Sequence, residues 1–575
     1  MKETDTISKK YFSWDPLEDA RFSDLIIGNG HIGGKGRSLL YAMARLWDTD
    51  DELSEKVIFP PSIFLSINVY KYVLEQIPDL EMIQCKDPEE IERKFLDTEL
   101  PDYAMHSIKK FLIDVTAPVI VRSSSLLEDS LKYSFAGKYR STFMINDQPD
   151  INERVKLVET EIKKIFARIH FPIALAYREK HGLGEDAMGI IIMKVSGSWH
   201  GRYFYPTLAG VGFSKYYLRW TTRINPDDGL IRLVFGMGTT STKRGYARSF
   251  SLTMPCLRPE GQNPFNIMRH AQEHFQVVDR ETHTLATVDI KNIWEDIIPY
   301  HSYFLDYAQL YTSDPEGGYF RRICKSGNFS AQDSKICFTF EGFSKQARFF
   351  FNRMKKILKI LEDSMGVPAD IEFAYHHSED IVELVQARPL WTKEKNECLD
   401  IPELSSKRKI LQADRMVTDG RKENIPYIIM VDYHFYSKTR QWCHIARTIG
   451  KINAQLGKEK FILVSPGRVG SSNPLLGVPV RYDELTNCCC IVELGIPQEG
   501  FMPELSFGTH FFTDLEIDEI LYMPVYHGEK NNIFDERFFD ETPYNNEMDP
   551  AVRVYRGSFS VFTNGEKNEG VIVVN

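Results

Sequence analysis

The segment Ala117–Asn146, APVIVRSSSLLEDSLKYSFAGKYRSTFMIN, decides the fold. Val119-Ile120-Val121 is an apolar, β-branched run with the composition of a buried strand, and it predicts a strand that delivers Arg122 at its end. Ser123, Ser124 and Ser125 follow, then Leu126-Leu127-Glu128-Asp129, then Phe135-Ala136-Gly137, then a second strand-like run from Thr142 to Ile145. A guanidinium at a strand end beside small hydroxyl residues suits a polyanion, because its planar fork of donors matches phosphate oxygens. A glycine among small neighbours lets backbone N–H groups close on a phosphate. A lone VRSS is better read as a strand, a surface loop and a hairpin carrying a scattered arginine; the surrounding chain is what singles this one out.

Upstream, residues 25–46 read LIIGNGHIGGKGRSLLYAMARL. A short apolar run leads into Gly28, Gly30, Gly33, Gly34 and Gly36, with Lys35 among them, and Leu39, Leu40, Met43 and Leu46 then recur at helical spacing. Strand, glycine turn and helix make an arrangement whose exposed N–H groups and helix dipole favour an anion. It is not a Walker A loop, since Gly36 follows Lys35 where Ser or Thr is required. Downstream, the spacing predicts a helix over Ile151–Arg178 with Val155, Val158, Ile162, Ile165 and Phe166 in one stripe, and a buried strand over Met188–Val195. Lys243 and Arg244 read as a solvated surface pair on a polar loop.

Asp370–Trp391, DIEFAYHHSEDIVELVQARPLW, predicts a hairpin turning at His376–Asp380. Gln386 and Arg388 are two apart and share one face of its second strand, and pairing can bring Glu372 near them. A carboxylate and an amide oxygen are hard ligands suited to Mg²⁺, and an adjacent arginine can neutralise charge on a transferring phosphoryl group. An ordinary cross-strand Glu–Arg pair accounts for the spacing at least as well.

Together these segments resemble the nucleotide-binding domain of phosphoenolpyruvate synthase, pyruvate phosphate dikinase and rifampin phosphotransferase. The matching residues are Val121-Arg122-Ser123-Ser124-Ser125, Glu128-Asp129, Phe135-Ala136-Gly137 and Thr142-Phe143, the GGKG run Gly33–Gly36, and the I-E-F-A … Q-A-R-P pattern from Ile371 to Pro389. The resemblance implies a two-part, ATP-grasp-like nucleotide-binding domain; with the strand and helix patterns of the C-terminal region, the expected fold is α+β or α/β, that domain followed by a smaller α/β domain. The resemblance implies ATP and Mg²⁺ as cofactors, with Lys35, flanked by Gly34 and Gly36, on the phosphates and Arg122 beside it. It further implies the Phe135-Ala136-Gly137 loop over the triphosphate, Glu372 and Gln386 on the metal, and Arg388 on phosphate. In the family, the strand corresponding to Met188–Val195 borders the adenine; here Met193 stands where a glutamine is expected, leaving the backbone from Met193 to Val195 to meet the base. Phe59-Pro60-Pro61-Ser62 resembles a scaffold segment of the family with Ser62 in place of glycine, and Gly229–Thr239 resembles one branch of it. The resemblance covers roughly the first two thirds of the chain and gives a nucleotide-binding domain at 1–395, divided near 190–245; a charged, less apolar composition places a linker at 396–421, and the remainder, 422–575, reads as a separate C-terminal domain.

Composition agrees with a folded protein of several domains: 575 residues, 43% hydrophobic and 12% aromatic. A net charge of −10 argues against a general nucleic-acid binder. The start, MKETDTISKK, lacks the apolar core of a signal peptide, and no apolar run is long enough to span a bilayer, so a cytoplasmic location without membrane partners is expected. The nine cysteines, including Cys488-Cys489-Cys490, form no C-x-x-C pair and read as buried reduced thiols.

In the C-terminal region, Tyr427–Tyr436 predicts a strand, Lys438–Leu456 a helix, and Val552–Val574 a hairpin about Asn564-Gly565. Phe461-Ile462-Leu463-Val464 runs into Ser465-Pro466-Gly467-Arg468-Val469-Gly470-Ser471-Ser472, a loop able to hold an anion, although Gly/Pro/Ser loops are common. Ser506–Phe512 places His510 between a small-residue turn and aromatics. Enzymes of the resembled family that make phosphoenolpyruvate also carry a phosphohistidine domain and a pyruvate-binding barrel. Neither is found here, the region after the linker being shorter than the roughly 250 residues of a barrel. The reading is an ATP- and Mg²⁺-dependent phosphotransferase whose acceptor is unidentified, a small molecule or a partner protein, with His510 the in-chain candidate. A nucleotide-binding sensor and the front part of a larger enzyme are the alternatives. Arg388→Ala is expected to abolish ATP turnover with the fold intact.

Overall fold

The structure is a computed structural model. It describes residues 10–49, 51–78, 87–128, 139, 141–180, 182–215, 223–238, 247–258, 261–269, 271–272, 274–289, 304–315, 317–323, 334–390, 401–404, 407–471, 474–496, 520–565 and 567–575. The chain divides into two compact units, residues 1–216 with 225–391 and residues 217–224 with 392–575.

In chain order, the first unit contains β1 (Ile26–Ile27), α1 (Gly33–Trp47), β2 (Val57–Ile58), β3 (Ser62–Leu65), β4 (Val119–Ser125), β5 (Ser141–Met144), α2 (Ile151–Ala167), β6 (Met188–Lys194), β7 (Leu208–Phe213), β8 (Leu230–Phe235), β9 (Arg248–Ser251), α3 (Arg348–Met365), β10 (Ala369–His376) and β11 (Ile381–Pro389). One sheet has the order β1-β3-β6-β4-β5 and the other β9-β8-β7-β10-β11-β2. Two smaller antiparallel sheets are added between β6 and α3.

Helix α1 lies between the two large sheets, packing on β4 and β6 of the first and β11 of the second. Its sequence is apolar on nearly every side, the pattern of a helix covered all round. Leu39, Leu40, Met43 and Ala44 pack with Phe64, Ile191 and Met193. Tyr41, Ala42 and Leu46 face the core that contains Ile371, Phe373, Leu384 and Ala387. At roughly 1.5–3 kcal/mol for each large apolar side chain buried, this double-sided packing holds the start of α1 at a fixed place between the sheets.

Several elements differ from the sequence expectation. Strand β4 does not end at Arg122: it continues through Ser125, pairing Ser123, Ser124 and Ser125 with Ile190, Gly189 and Met188 of β6. The predicted helix over Ile151–Arg178 keeps its stripe, with Val155, Val158, Ile162, Ile165 and Phe166 all buried. It breaks because Phe171, which precedes Pro172, is extended, and a second helix starts at Pro172. The second strand of the opening segment is Ser141–Met144.

The second unit is built on one sheet. Its main elements are β12 (Arg408–Ala413), β13 (Gly420–Val431), α4 (Trp442–Gln455), β14 (Phe461–Pro466), β15 (Cys488–Gly495), β16 (Leu521–Tyr526), β17 (Val552–Asn564) and β18 (Glu569–Val574). The order is β16-β15-β14-β13-β17-β18-β12, with Ile533–Phe534 at the β12 edge. From β13 to β16 neighbouring strands are parallel; β13, β17, β18 and β12 pair antiparallel in turn. Strand β12 lies in the stretch expected to be linker. The strand expected over Tyr427–Tyr436 stops at Val431, because the Asp432 carboxylate accepts the Phe435 N–H at 2.9 Å and starts a short helix. The expected hairpin forms, with Asn564 still paired to Glu569. Cys488, Cys489 and Cys490 are buried and free, and burial pushes all three thiols up, which keeps them protonated. Among the described residues no helix is long and apolar enough to cross a membrane.

Candidate functional site

Arg122 is carried on β4 and is only 9% exposed. Its guanidinium crosses to β11: Nη1 donates to the Val385 carbonyl at 3.1 Å, and Nη2 donates to Gln386 Oε1 and, at 3.3 Å, to Glu372 Oε2. The cause is a β-bulge. Glu372 stands opposite Gln386 while Phe373 stands opposite Leu384, so Val385 is the extra residue. A bulged residue leaves the ladder, and here its carbonyl accepts the guanidinium. Among the described residues Arg122 Nε, which is buried, has no acceptor.

Arg388 is held separately. Its Nε and Nη2 donate to Asp370 Oδ2 at 2.8 and 2.5 Å, Asp370 being its partner across the hairpin. The cross-strand Glu–Arg pair weighed from the sequence therefore takes another form: Asp370, not Glu372, is the carboxylate on Arg388. Burial pushes the Asp370 carboxyl up, and the Arg388 charge pulls against it.

Lys35 lies in the first turn of α1. Its ammonium sits 2.8 Å from Glu128 Oε1 and 3.3 Å from Ser123 Oγ. Glu128 is almost fully buried and is built into a tight turn: its Oε2 accepts the Ser125 N–H at 2.8 Å, and its own N–H donates to Ser125 Oγ at 3.2 Å. This is the reciprocal pairing of a capping box, and its Ser-x-x-Glu signature is present in Ser125-Leu126-Leu127-Glu128. Glu128 was part of the quoted pattern but had no role; the signature marks it. Asp370 and Asp186 were also missed. Asp186 accepts the Tyr139 hydroxyl at 2.8 Å and the Leu127 N–H at 3.2 Å, and burial raises its carboxyl.

The glycines serve close packing at the start of α1. Ser124 Oγ accepts the Gly36 N–H at 2.9 Å and donates to the Ile32 carbonyl at 2.7 Å, so a strand serine caps this helix from outside it. Gly34 is buried, and the Gly36 amide is already bonded. Gly33 has φ +78°, and a Cβ there would lie 1.7 Å from the Ser124 carbonyl oxygen. Gly33→Ala is therefore expected to destabilise the protein by about 2–4 kcal/mol, read as a lowered unfolding midpoint; an unchanged midpoint contradicts the packing argument.

Met193 and Val195, expected beside the base, have backbone groups already engaged in the sheet. The Met193 side chain is in the core with Phe64 and Ile191, and its backbone is paired within the sheet, opposite Ile120 of β4 and Ser62 of β3. Val195 is buried, and its N–H donates to the Pro118 carbonyl at 2.8 Å. In the second unit, the loop expected to hold an anion has its amides committed. Gly467, Arg468 and Gly470 donate to the carbonyls of Leu494, Leu476 and Val478, and Val469 donates to Glu493 Oε1. Asp129, Phe135, Ala136, Gly137, Lys243, Arg244 and His510 lie outside the described residues.

Glu372 and Gln386 fit a divalent cation in one checkable respect: their side-chain oxygens already converge on a single positively charged group, the Arg122 guanidinium. Among the described residues no cluster of three or more His, Cys, Asp or Glu could hold a metal. One carboxylate and one amide oxygen suit Mg²⁺, which keeps most of its waters and takes few protein ligands.

A helix start lies between two sheets of an α+β fold, with a lysine and two arginines set against carboxylates. Residues 29–409, roughly two thirds of the chain, match the family described as pyruvate phosphate dikinase, AMP/ATP-binding domain. The chain belongs to that family and binds nucleotide. No curated protein matches it.

Proposed function

We propose that this protein is an ATP- and Mg²⁺-dependent phosphotransferase. Lys35 and Arg122 bind phosphate oxygens, Glu372 and Gln386 hold the metal, and Arg388 stabilises the transferring group. The observation that carries the reading is the convergence of the Glu372 and Gln386 oxygens on one cation, the guanidinium of the strand arginine Arg122. Bound there, Mg²⁺ supplies charge neutralisation of the phosphate oxygens. The chain's own residues do the positioning: the bulge at Val385 sets the guanidinium, and Asp370 sets Arg388. Transfer breaks the P–O bond to the departing nucleotide and forms a bond from phosphorus to an acceptor nitrogen or oxygen. His510 is the acceptor proposed within this chain; a small molecule or a partner protein is the other acceptor class.

Incubation with ATP and Mg²⁺, followed by intact-protein mass with and without acid treatment, tests the reading. The expected result is ATP consumption together with a phosphoryl mass that acid removes, mapping to the peptide that contains His510. ATP consumption without added mass places the acceptor outside the chain. Nucleotide binding with neither ATP loss nor added mass overturns the phosphotransferase reading in favour of a sensor.

A further inference from the structure

We propose that Arg122 is an exchangeable internal cation: without nucleotide it occupies the oxygens that bind the metal, so metal and nucleotide bind strongly only as a pair. This rests on the reading of Glu372 and Gln386 as metal ligands.

The geometry sets up a direct competition. One nitrogen of Arg122, Nη2, takes both Gln386 Oε1 and Glu372 Oε2. Glu372 and Gln386 would hold Mg²⁺ through side-chain oxygens of the kind it takes, and these are the oxygens that now accept Nη2. Two positive charges on the same oxygens repel, so the guanidinium and the metal compete for them.

The surroundings restrict where the guanidinium can go. Arg122 and Gln386 are both buried, at 9% and 5% exposure, so it cannot be released simply into solvent. Its Nη1 stays anchored on the Val385 carbonyl. Its Nε is buried and has no acceptor among the described residues, a donor that Glu372 and Gln386 leave unsatisfied. A phosphate brings several acceptor oxygens and suits the fork of a guanidinium. Phosphate on Arg122 frees Glu372 and Gln386 for the metal, and metal on Glu372 and Gln386 frees Arg122 for phosphate.

The other two cations of the site are not in this competition. Lys35 is paired with Glu128, and Arg388 with Asp370. Arg122 is therefore the residue whose loss should open the metal position. By linkage, whatever factor nucleotide adds to metal affinity, metal must add to nucleotide affinity.

Mn²⁺ serves as the metal probe, with bound and free ion resolved by electron paramagnetic resonance, and a non-hydrolysable ATP analogue as the nucleotide. In the wild-type protein, the analogue is expected to raise Mn²⁺ affinity at least about tenfold, after correction for Mn²⁺ held by free analogue. Arg122→Met keeps the apolar stem and removes the cation. It is expected to bind Mn²⁺ alone at least about tenfold more tightly than wild type, with the coupling to nucleotide reduced to what direct phosphate–metal contact supplies. Arg122→Lys, which keeps the charge, should show no such gain. Wild-type protein that binds Mn²⁺ equally well with and without the analogue overturns the proposal without recourse to any variant. A folded Arg122→Met with no gain in Mn²⁺ affinity also overturns it. Glu372→Gln separates the two readings. If it loses Mn²⁺ in the presence of the analogue while Arg122→Met fails to gain it, only the exchange falls; if it binds Mn²⁺ and analogue like wild type, the ligand assignment falls and the exchange with it.

Discussion

Replacing Lys35 by methionine is expected to lower Mg²⁺-dependent ATP consumption by about 10²- to 10³-fold. Methionine keeps the length of the stem and removes the charge. The start of α1 is fixed by packing on both sides, so the ammonium cannot be replaced by a neighbouring side chain drifting into its place. The substitution also leaves Glu128 short of a partner. The carboxylate keeps the Ser125 N–H and the Ser123 hydroxyl but loses its cation, and removing one partner of a buried pair destabilises. Stability and activity must therefore be separated. The double variant Lys35→Met with Glu128→Gln should regain much of the unfolding midpoint and none of the activity. ATP consumption by Lys35→Met within about threefold of wild type removes Lys35 from the site.

Arg388→Ala carries the second large effect, and it falls on stability as well as turnover. The variant is expected to lose about 3–5 kcal/mol, because Asp370 is left buried without its cation. The expectation of an intact fold, drawn from the sequence, is corrected by this pair. The sign with pH follows from Asp370. Burial already raises its carboxyl above the usual value of 3.8, and Arg388 is the main influence lowering it. Without Arg388 the folded-state value rises further. A carboxyl raised on folding favours the fold below its unfolded value and loses that contribution as pH climbs through the folded one. The deficit against wild type should therefore be smallest near pH 4 and grow toward neutrality. Thermal unfolding followed by circular dichroism from pH 4 to 8 checks it; a deficit independent of pH contradicts the role given to Asp370. Asp370→Asn with Arg388→Ala should recover part of the loss, since no charge is then stranded.

The site was legible where side-chain chemistry and short-range pattern coincide. Lys35, Arg122, Glu372, Gln386 and Arg388 were picked out by their match to the family's motifs, and the hairpin that carries the last three forms as its two apolar runs about a polar turn predict. Boundaries were less legible. Ser123–Ser125 read as loop because serine favours turns, yet β6 pairs with all three. The aromatic run Tyr433–Tyr436 read as strand until the Asp432 cap ended it. The charged stretch Arg408–Ala413 read as linker because two of its residues are exposed charges, while Ile410 and Leu411 supply the buried face of a strand. Met193 was read against a family position; the pairing of its backbone in a central strand is a property of the sheet and not of the residue.

Sequence by itself, through short motifs matching the family, named the groups proposed for a nucleotide: a lysine at a glycine-lined helix start, forked cations, and hard oxygen donors on a hairpin. Such motifs span only a few residues and carry side-chain chemistry without its partners. Only the tertiary structure decided which cation rests on which oxygen. Arg122 reaches a glutamine 264 positions away through a bulge that no local pattern announces, Arg388 turns to Asp370, and Lys35 turns to Glu128. Partner choice of this kind depends on distance and burial between strands remote in the chain, and those quantities exist only once the sheets have closed around α1.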